Sequence, residues 1–585
     1  MGKGRDRRRQ RTGREIVVYD HTGTAQQKSF PMNELAMGGG LEGAERTSRE
    51  MASWRPFFGS PNQAISLGKE VADARGRDTV LNDGYAMGAM RYHKDSIVGA
   101  HFRLNAQPDW QVLRDIYNPT GASEEDWRIW SEAFQLRVER RFNLTAESNS
   151  HWLDASRRMT LTEMVRVETG AFVYTGEVCA TSEWLRGSGR PYKTALALVN
   201  PDRLSNPDRR MDRPATRSQT GLTGGVETNY YGEHLAYWFQ QTHPGEFGHP
   251  DSMKWSRVPA EKPWGRKQVI YINEPMMVEQ TRGVAEIVSA LKQTKMRKQF
   301  SEVTLQNAVV NASYAASVES ELPSAEVIAM MGGGAENQLE NYLKMYMGAL
   351  SEFMGGANNI KLDGAMIPQF FPGTKLNARP LGTPGGVGTD FEASLLRYLA
   401  AALGTSYSAL SRDYSKLSYS GLKGEAAEIQ KFMSSRKKGV ADKLATYGYE
   451  LWLEEEIAGD YALLPPGWTR DDYYRPLAKE AISACSWIGT GRGQIDELAE
   501  TQAAILRINS GLSTREIETA KLGNDFRDVL AQLERESKLI EKHGLLLSGN
   551  AQQTTGDAGT QQTLQGKPGE NANDTRDAQE TANAA

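Results

Sequence analysis

Residues 389–420 read TDFEASLLRYLAAALGTSYSALSRDYSKLSYS, and the reading of this stretch decides the fold. Thr389-Asp-Phe-Glu392 has capping-box spacing, with an apolar run behind it. Phe391, Leu395, Leu399 and Leu403 then recur as one helical stripe. Gly404 follows as a natural left-handed stop. Thr405 to about Ser420 is polar and reads as a loop. Beyond it, Ile429, Met433, Val440, Leu444, Tyr447 and Leu451 predict a long helix from Gly424 to Gly459.

Upstream, Val284, Ile287, Val288 and Leu291 fit a helical period, and no breaker appears before about Tyr314. A helix that long crosses between modules or packs beside copies of itself. Basic side chains, Lys292, Lys295, Arg297 and Lys298, sit on it. Between the two helical segments, Pro323-Ser324 opens a further helix, Gly332-Gly-Gly334 interrupts it, and Asn359 to Pro384 is turn-rich and strand-like. Two helices flanking a mixed insertion can run antiparallel as a stalk.

Further out, Ser123-Glu-Glu-Asp126 starts a helix whose stripe is Trp127, Trp130, Phe134 and Val138. Between Gly170 and Tyr271, Ala171–Tyr174, Thr194–Val199, Tyr237–Phe239 and Val269–Ile272 read as strands separated by turns. Near the end, Ser513-Thr-Arg-Glu516 has capping-box spacing, and Asn524 can cap a last helix with Phe526, Val529, Leu530, Leu533 and Leu539-Ile540. The first 50 residues read as an arm, basic from Lys3 to Arg14. After Gly549 the composition is too polar to order itself.

The 585 residues carry 69 basic and 73 acidic side chains, a net charge of −4. Tight DNA clamping takes a basic excess, so the balance leaves room only for weak, sliding contact with phosphates. Cys179 and Cys485 are far apart, which argues against a disulfide scaffold or thiolate cluster and for a reducing compartment. No apolar run is long enough to span a membrane. No apolar region follows the basic start, so it is not read as a secretory signal, and Asp6 stands where myristoylation wants Ser or Thr. Walker, HExxH and GxSxG patterns are absent, and the Gly332–Gly334 and Gly385–Gly388 runs read as turns. Glu454-Glu-Glu456 reads as a solvated face, and His234 and His243 as local hydrogen-bond formers. The sequence therefore points to a structural or assembly role, with no catalytic residue, metal or cofactor.

Several segments occur in a fixed order from about residue 54 to 545: Asn82–Met90 with His93, Asp95, Ile97–Gly99 and Phe102–Leu104; Asn200–Pro207; Gln280-Thr-Arg-Gly283; Ser394–Gly404 with Ser406-Tyr407, Leu410–Arg412, Tyr414 and Leu417–Ser420; and Trp487–Gly489 with Gly491-Arg492, Ile495-Asp496 and Gly511–Ser513. In that order they resemble the lambda-type portal proteins of tailed bacteriophages, the head–tail connectors. The resemblance implies an α+β portal fold, with an α/β wing, an antiparallel helical stem, an α/β clip and an α-helical crown, assembled as a ring of about twelve copies. It assigns residues 51–280 and 421–494 to the wing, 281–310 and 386–404 to the stem helices, 311–385 to the clip, 405–420 to a channel loop and 495–548 to the crown. The 1–50 arm and the 549–585 tail inherit nothing.

The same resemblance implies a channel for packaging and ejection of double-stranded DNA at one capsid vertex. It implies docking of the terminase large subunit, then of head-completion or adaptor proteins, with the major capsid protein around the wing and no membrane partner. The protein would sit in the virion, and in the host cytoplasm during assembly. Arg412, Lys416 and Ser418 on the channel loop, and Lys292, Lys295 and Lys298 on the first stem helix, are the candidates for DNA contact. The rival readings are another virion structural protein, such as a capsid or tail-tube subunit, and a phage packaging enzyme.

Overall fold

Helix and sheet are mixed throughout, and the strands pair antiparallel in five small sheets among the described residues. The computed structural model describes residues 13–19, 25–31, 51, 53–187, 189–246, 248–313, 344, 347–348, 351, 360–362, 365–367, 387–415, 417–491, 493 and 496–543. Most of the expected clip, the 549–585 tail and Lys416 lie outside them. The chain divides into a large unit through Glu497 and a second unit from Leu498.

The large unit begins with hairpin β1 (Gly13–Tyr19) and β2 (Ala25–Pro31), then helices α1 (Pro61–Ser66), α2 (Lys69–Asn82) and α3 (Gly84–Ile97). The break between α2 and α3 is chemical: the Asp83 carboxylate accepts from the Tyr85 and Ala86 amides at 3.0 and 3.1 Å, starting a new helix. α3 buries Ala86, Ala89, His93 and Ile97, the spacing of one helical face. Strand β3 (Arg103–Ala106) and helix α4 (Trp110–Ile116) lead to α5 (Glu124–Ala146). The helix starts where expected, with Ser123 and Asp126 forming a capping box, and Trp127, Trp130, Phe134, Val138 and Phe142 are all buried.

α6 (Leu161–Thr175) overturns one expectation. Ala171–Tyr174 is its last turn, not a strand. The helix is set earlier, by the Thr160–Glu163 capping box, and Gly176 ends it at φ +69°. Strand β4 (Glu177–Trp184) follows at once and lies between β5 (Thr194–Leu198) and β10 (Val269–Asn273). Strands β6 (Gly221–Thr223), β7 (Val226–Thr228), β8 (His234–Gln240) and β9 (Trp255–Pro259) form a separate four-stranded sheet in that order.

Helix α7 (Leu291–Ser313) is preceded by a 3₁₀ turn, Glu286–Ala290. The β11 (Ile360–Leu362) and β12 (Ala365–Ile367) hairpin precedes α8 (Val387–Ala402). α8 already runs at Val387, so Thr389 lies inside it and is not its cap. Its buried stripe is Leu396, Leu399, Ala400 and Leu403; Phe391 is exposed. After α9 (Tyr407–Ser411), the long helix starts at Tyr419 rather than Gly424. It comprises α10 (Tyr419–Arg436), a π turn at Lys437–Ala441 and α11 (Asp442–Ala458). Helix α12 (Ala478–Ile482) and strand β13 (Cys485–Ile488) close the unit, with Trp487 opposite Leu104 of β3.

Aromatic rings fill the main core. Phe142 meets Trp452 edge-on at 5.2 Å, and Phe102 stacks on Trp487 at 5.4 Å. Each such ring contributes roughly 1.5–3 kcal/mol by burial. The Glu454–Glu456 run is the second correction, because it is not a solvated face. Glu454 and Glu456 are buried. Glu454 pairs with Arg266 at 2.7 Å, Glu456 with Arg141, and Glu455 accepts from the Lys193 and Thr194 amides.

The second unit holds three helices: α13 (which begins at Glu497 and ends at Asn509), α14 (Arg515–Lys521) and α15 (Phe526–His543). Thr514, not Ser513, caps α14. Asp525, not Asn524, accepts from the first amides of α15, at 2.7 and 3.3 Å.

Candidate functional site

α7 and α8 run antiparallel: Arg297 reaches Glu392 at 3.4 Å, and Phe300, further along α7, meets Phe391, further back on α8, at 5.3 Å. Three buried arginines hold the base of this pair to the rest of the large unit.

Arg282 lies just before the 3₁₀ turn that leads into α7. Its guanidinium makes two bonds to the Glu177 carboxylate, at 2.7 and 2.8 Å. It also donates to the Leu204 carbonyl at 2.7 Å, to that of Gly224, and to that of Pro201 at 3.3 Å. One side chain thus fastens the start of β4, the four-stranded sheet and the approach to α7. Glu177 also accepts from Tyr271 Oη at 2.7 Å and the Gly283 amide at 2.6 Å, with Lys69 Nζ 3.4 Å away. Burial alone would raise the Glu177 carboxyl; Arg282 and Lys69 hold it down at about 2. Beside it, burial lifts the Asp73 carboxyl to about 6 against the pull of Lys69. The backbones need glycine here. A Cβ on Gly283 would stand 2.1 Å from the Gly176 carbonyl, and one on Gly176 2.4 Å from Val284. This gives a physical reason for Gln280-Thr-Arg-Gly283.

Arg297, on α7, pairs with the Asp83 that starts α3, and its guanidinium lies 4.8 Å from the Tyr85 ring. Arg436, at the end of α10, pairs with Glu286 and lies 3.5 Å from Glu274. It is flanked by the rings of Phe172 and Phe432 at 4.8 and 5.1 Å. Each guanidinium is more weakly hydrated than an ammonium and offers a rigid fork of donors, which suits buried pairing.

Where α8 ends, Gly404 adopts φ +61°, and any Cβ there would meet the Phe432 ring at 2.4 Å. His93 Nε2 lies 2.9 Å from the Leu403 carbonyl. Burial lowers this imidazole to about 4, so the ring is neutral and Nε2 carries the proton. The stretch after Gly404 is only partly a free loop. Thr405, Ser408 and Leu410 are buried, Ser406 caps α9, and Ser408 bonds Glu425. The exposed part begins at Arg412, which closes α9 in a left-handed conformation at φ +57°.

The candidate DNA contacts divide accordingly. Arg412 is exposed and has no ion pair among the described residues. Ser418 is exposed, but its hydroxyl accepts from the Gly421 amide at 3.2 Å to cap α10. Lys416 is outside the described residues. Lys292, Lys295 and Lys298 are exposed while Thr294 and Arg297 turn inward. Glu177, Arg297 and Arg436 were not singled out as site residues from sequence, because a buried charge looks like any other until its distant partner is known. His234 bonds Tyr237 at 2.9 Å and His243 bonds Asp202 at 3.0 Å, so both make local hydrogen bonds. No helix among the described residues is long and apolar enough to cross a membrane.

A family model described as "Phage portal protein, lambda family" matches residues 47–437. The chain is 36% identical over 510 residues to the portal protein of Escherichia phage N15, covering 87% of this chain and 90% of that one. It is 35% identical over 498 residues to portal protein B of Escherichia phage lambda, covering 85% and 89%. Among solved structures, the neck of an empty gene transfer agent particle matches with a TM-score of 0.34 and 12% identity, covering 81% of this chain and 97% of that one.

Proposed function

The chain belongs to the lambda family of phage portal proteins, and we propose that it forms a ring of about twelve copies at one capsid vertex, the channel through which duplex DNA is packaged and ejected. As a member of that family it is a structural component of the virion, which displaces the capsid and tail-tube readings and favours a structural role over that of a packaging enzyme. The observation that carries the proposal is the extent of the likeness, more than 35% identity to one portal protein across most of both chains.

The geometry supports it. A ring needs a heterologous interface whose rotation closes, and an antiparallel helix pair locked at its base is a rigid strut to place around an axis. Duplex must slide without sticking, and each phosphate neutralised raises affinity and salt sensitivity. A net charge of −4 with a few exposed cations suits that demand. Arg412 and the α7 lysines are proposed to touch phosphate transiently. Ser418 serves them by fixing the start of α10.

The terminase large subunit would dock during packaging and supply ATP hydrolysis, and head-completion or adaptor proteins would replace it. The major capsid protein would surround the wing, and assembly would take place in the host cytoplasm. Electron microscopy of the purified chain tests the proposal: rings of about twelve subunits with a central hole are expected. Shells, stacked tubes or a persistent monomer would overturn it.

A further inference from the structure

The described part of the helical unit after Glu497 has no apolar core of its own. Among its described residues, no apolar side chain is buried. On α15, Phe526, Val529, Leu530 and Leu533 recur at three- and four-residue steps and Ile540 follows seven residues on, along one stripe of the helix. Leu530 and Leu533 remain 48% and 53% exposed, and Leu506 and Ile517 on the neighbouring helices 66% and 50%. What ties α13 to α14 is polar: Glu518 accepts from Arg507 at 2.8 and 3.1 Å, with Lys521 from its own helix at 2.8 Å.

Such a module does not persist alone. A chain segment this short needs a disulfide, a metal or association to stay folded. An isolated helix of the length of α15 is marginal in water. The unit contains neither cysteine, since both lie in the large unit.

We infer that this module completes its core only against the same module of neighbouring copies, so that it folds as the ring closes. The inference rests on the proposed ring. Charge selects the occupant. Residues 526–543 carry four basic side chains (Arg527, Arg535, Lys538, Lys542) and four acidic ones (Asp528, Glu534, Glu536, Glu541). That net-neutral mixture fits a copy of itself. Duplex DNA would ask for a basic excess. Copies related by rotation about one axis present α15 in parallel, so each stripe can be covered by its neighbours on both sides.

The test is hydrogen exchange on the full-length chain, separated by particle mass into ring and monomer. In the ring, amides of residues 526–543 should exchange at least about a hundredfold more slowly than in the monomer. Equal protection in both would overturn the inference, because a single copy would then supply the cover. Rapid exchange in both would also overturn it, leaving the stripe to some other protein. Failure to find any ring would overturn the proposed function instead, and is read from particle mass before exchange is measured.

Discussion

Arg282 grips Glu177 through two parallel hydrogen bonds, 2.7 and 2.8 Å long, with both side chains removed from water. The bond joins residues more than a hundred positions apart and fixes where the chain turns toward α7. An ion pair taken out of water stabilises only if its remaining donors and acceptors are satisfied. Here they are: Arg282 is shared with backbone carbonyls, and Glu177 with Tyr271, Gly283 and Lys69.

Arg282→Met should destabilise the large unit by about 3–5 kcal/mol, since it leaves a buried carboxylate underpaired. Adding Glu177→Gln should recover part of that loss, because the stranded charge is gone. Denaturant unfolding of both single variants and the double variant checks this as a mutant cycle. A loss in the double variant equal to the sum of the two single losses would show that the pair is not coupled.

Glu168 predicts a dependence on pH. It is buried on α6, its Oε2 has no hydrogen-bond partner among the described residues, and burial raises the carboxyl to about 8. The folded value lies far above that of the unfolded chain, about 4.3. Folding therefore holds a proton across that window. The stabilising share is complete below about pH 4 and is lost as pH rises through 8, up to about 5 kcal/mol. Glu168→Gln should leave melting nearly unchanged at pH 4 and raise the melting temperature at pH 9. An identical shift at both values would refute it.

Leu399 is 1% exposed among Ile287, Ala290, Leu396 and Leu403, where the two helices meet the large unit. Leu399→Asp buries an unpaired carboxylate at a cost of several kcal/mol, and should abolish soluble rings. Tyr398→Asp, one residue away and 47% exposed, should assemble normally. Size-exclusion chromatography with particle counting separates the two; wild-type yield of Leu399→Asp would refute the stripe.

Much of this was legible from sequence where a local rule suffices. The Trp127–Val138 stripe, the Ser123 cap and the Gly404 stop each follow from residues within a few positions of one another. Ala171–Tyr174 failed because a short apolar run buried on several sides shows no period, and the deciding cap lay eleven residues earlier at Thr160. Glu454–Glu456 failed for a different reason. The partners that draw it inward, Arg266, Arg141 and the Lys193–Thr194 amides, are distant in sequence, and nothing local announces them. The arginines at the helix base share that obscurity, although Arg282 was marked by the motif around it.

The exposed segment after α9 yields the last prediction. Cutting all of Thr405–Ser420 would strip Leu410 from the core and the caps from α9 and α10, so a defect would not be informative. Excising Arg412–Leu417 removes Arg412, Tyr414 and Lys416 and leaves Leu410, Ser406 and Ser418 in place. Rings should form at wild-type mass, because the excised residues that are described are exposed. DNA should be packaged poorly or lost afterwards, because the segment proposed to meet phosphate is gone. Genome length per particle, read after nuclease treatment, is the measurement. Full-length genomes at normal yield would mean that this loop does not touch DNA, and the exposed lysines of α7 would then be the next residues to replace.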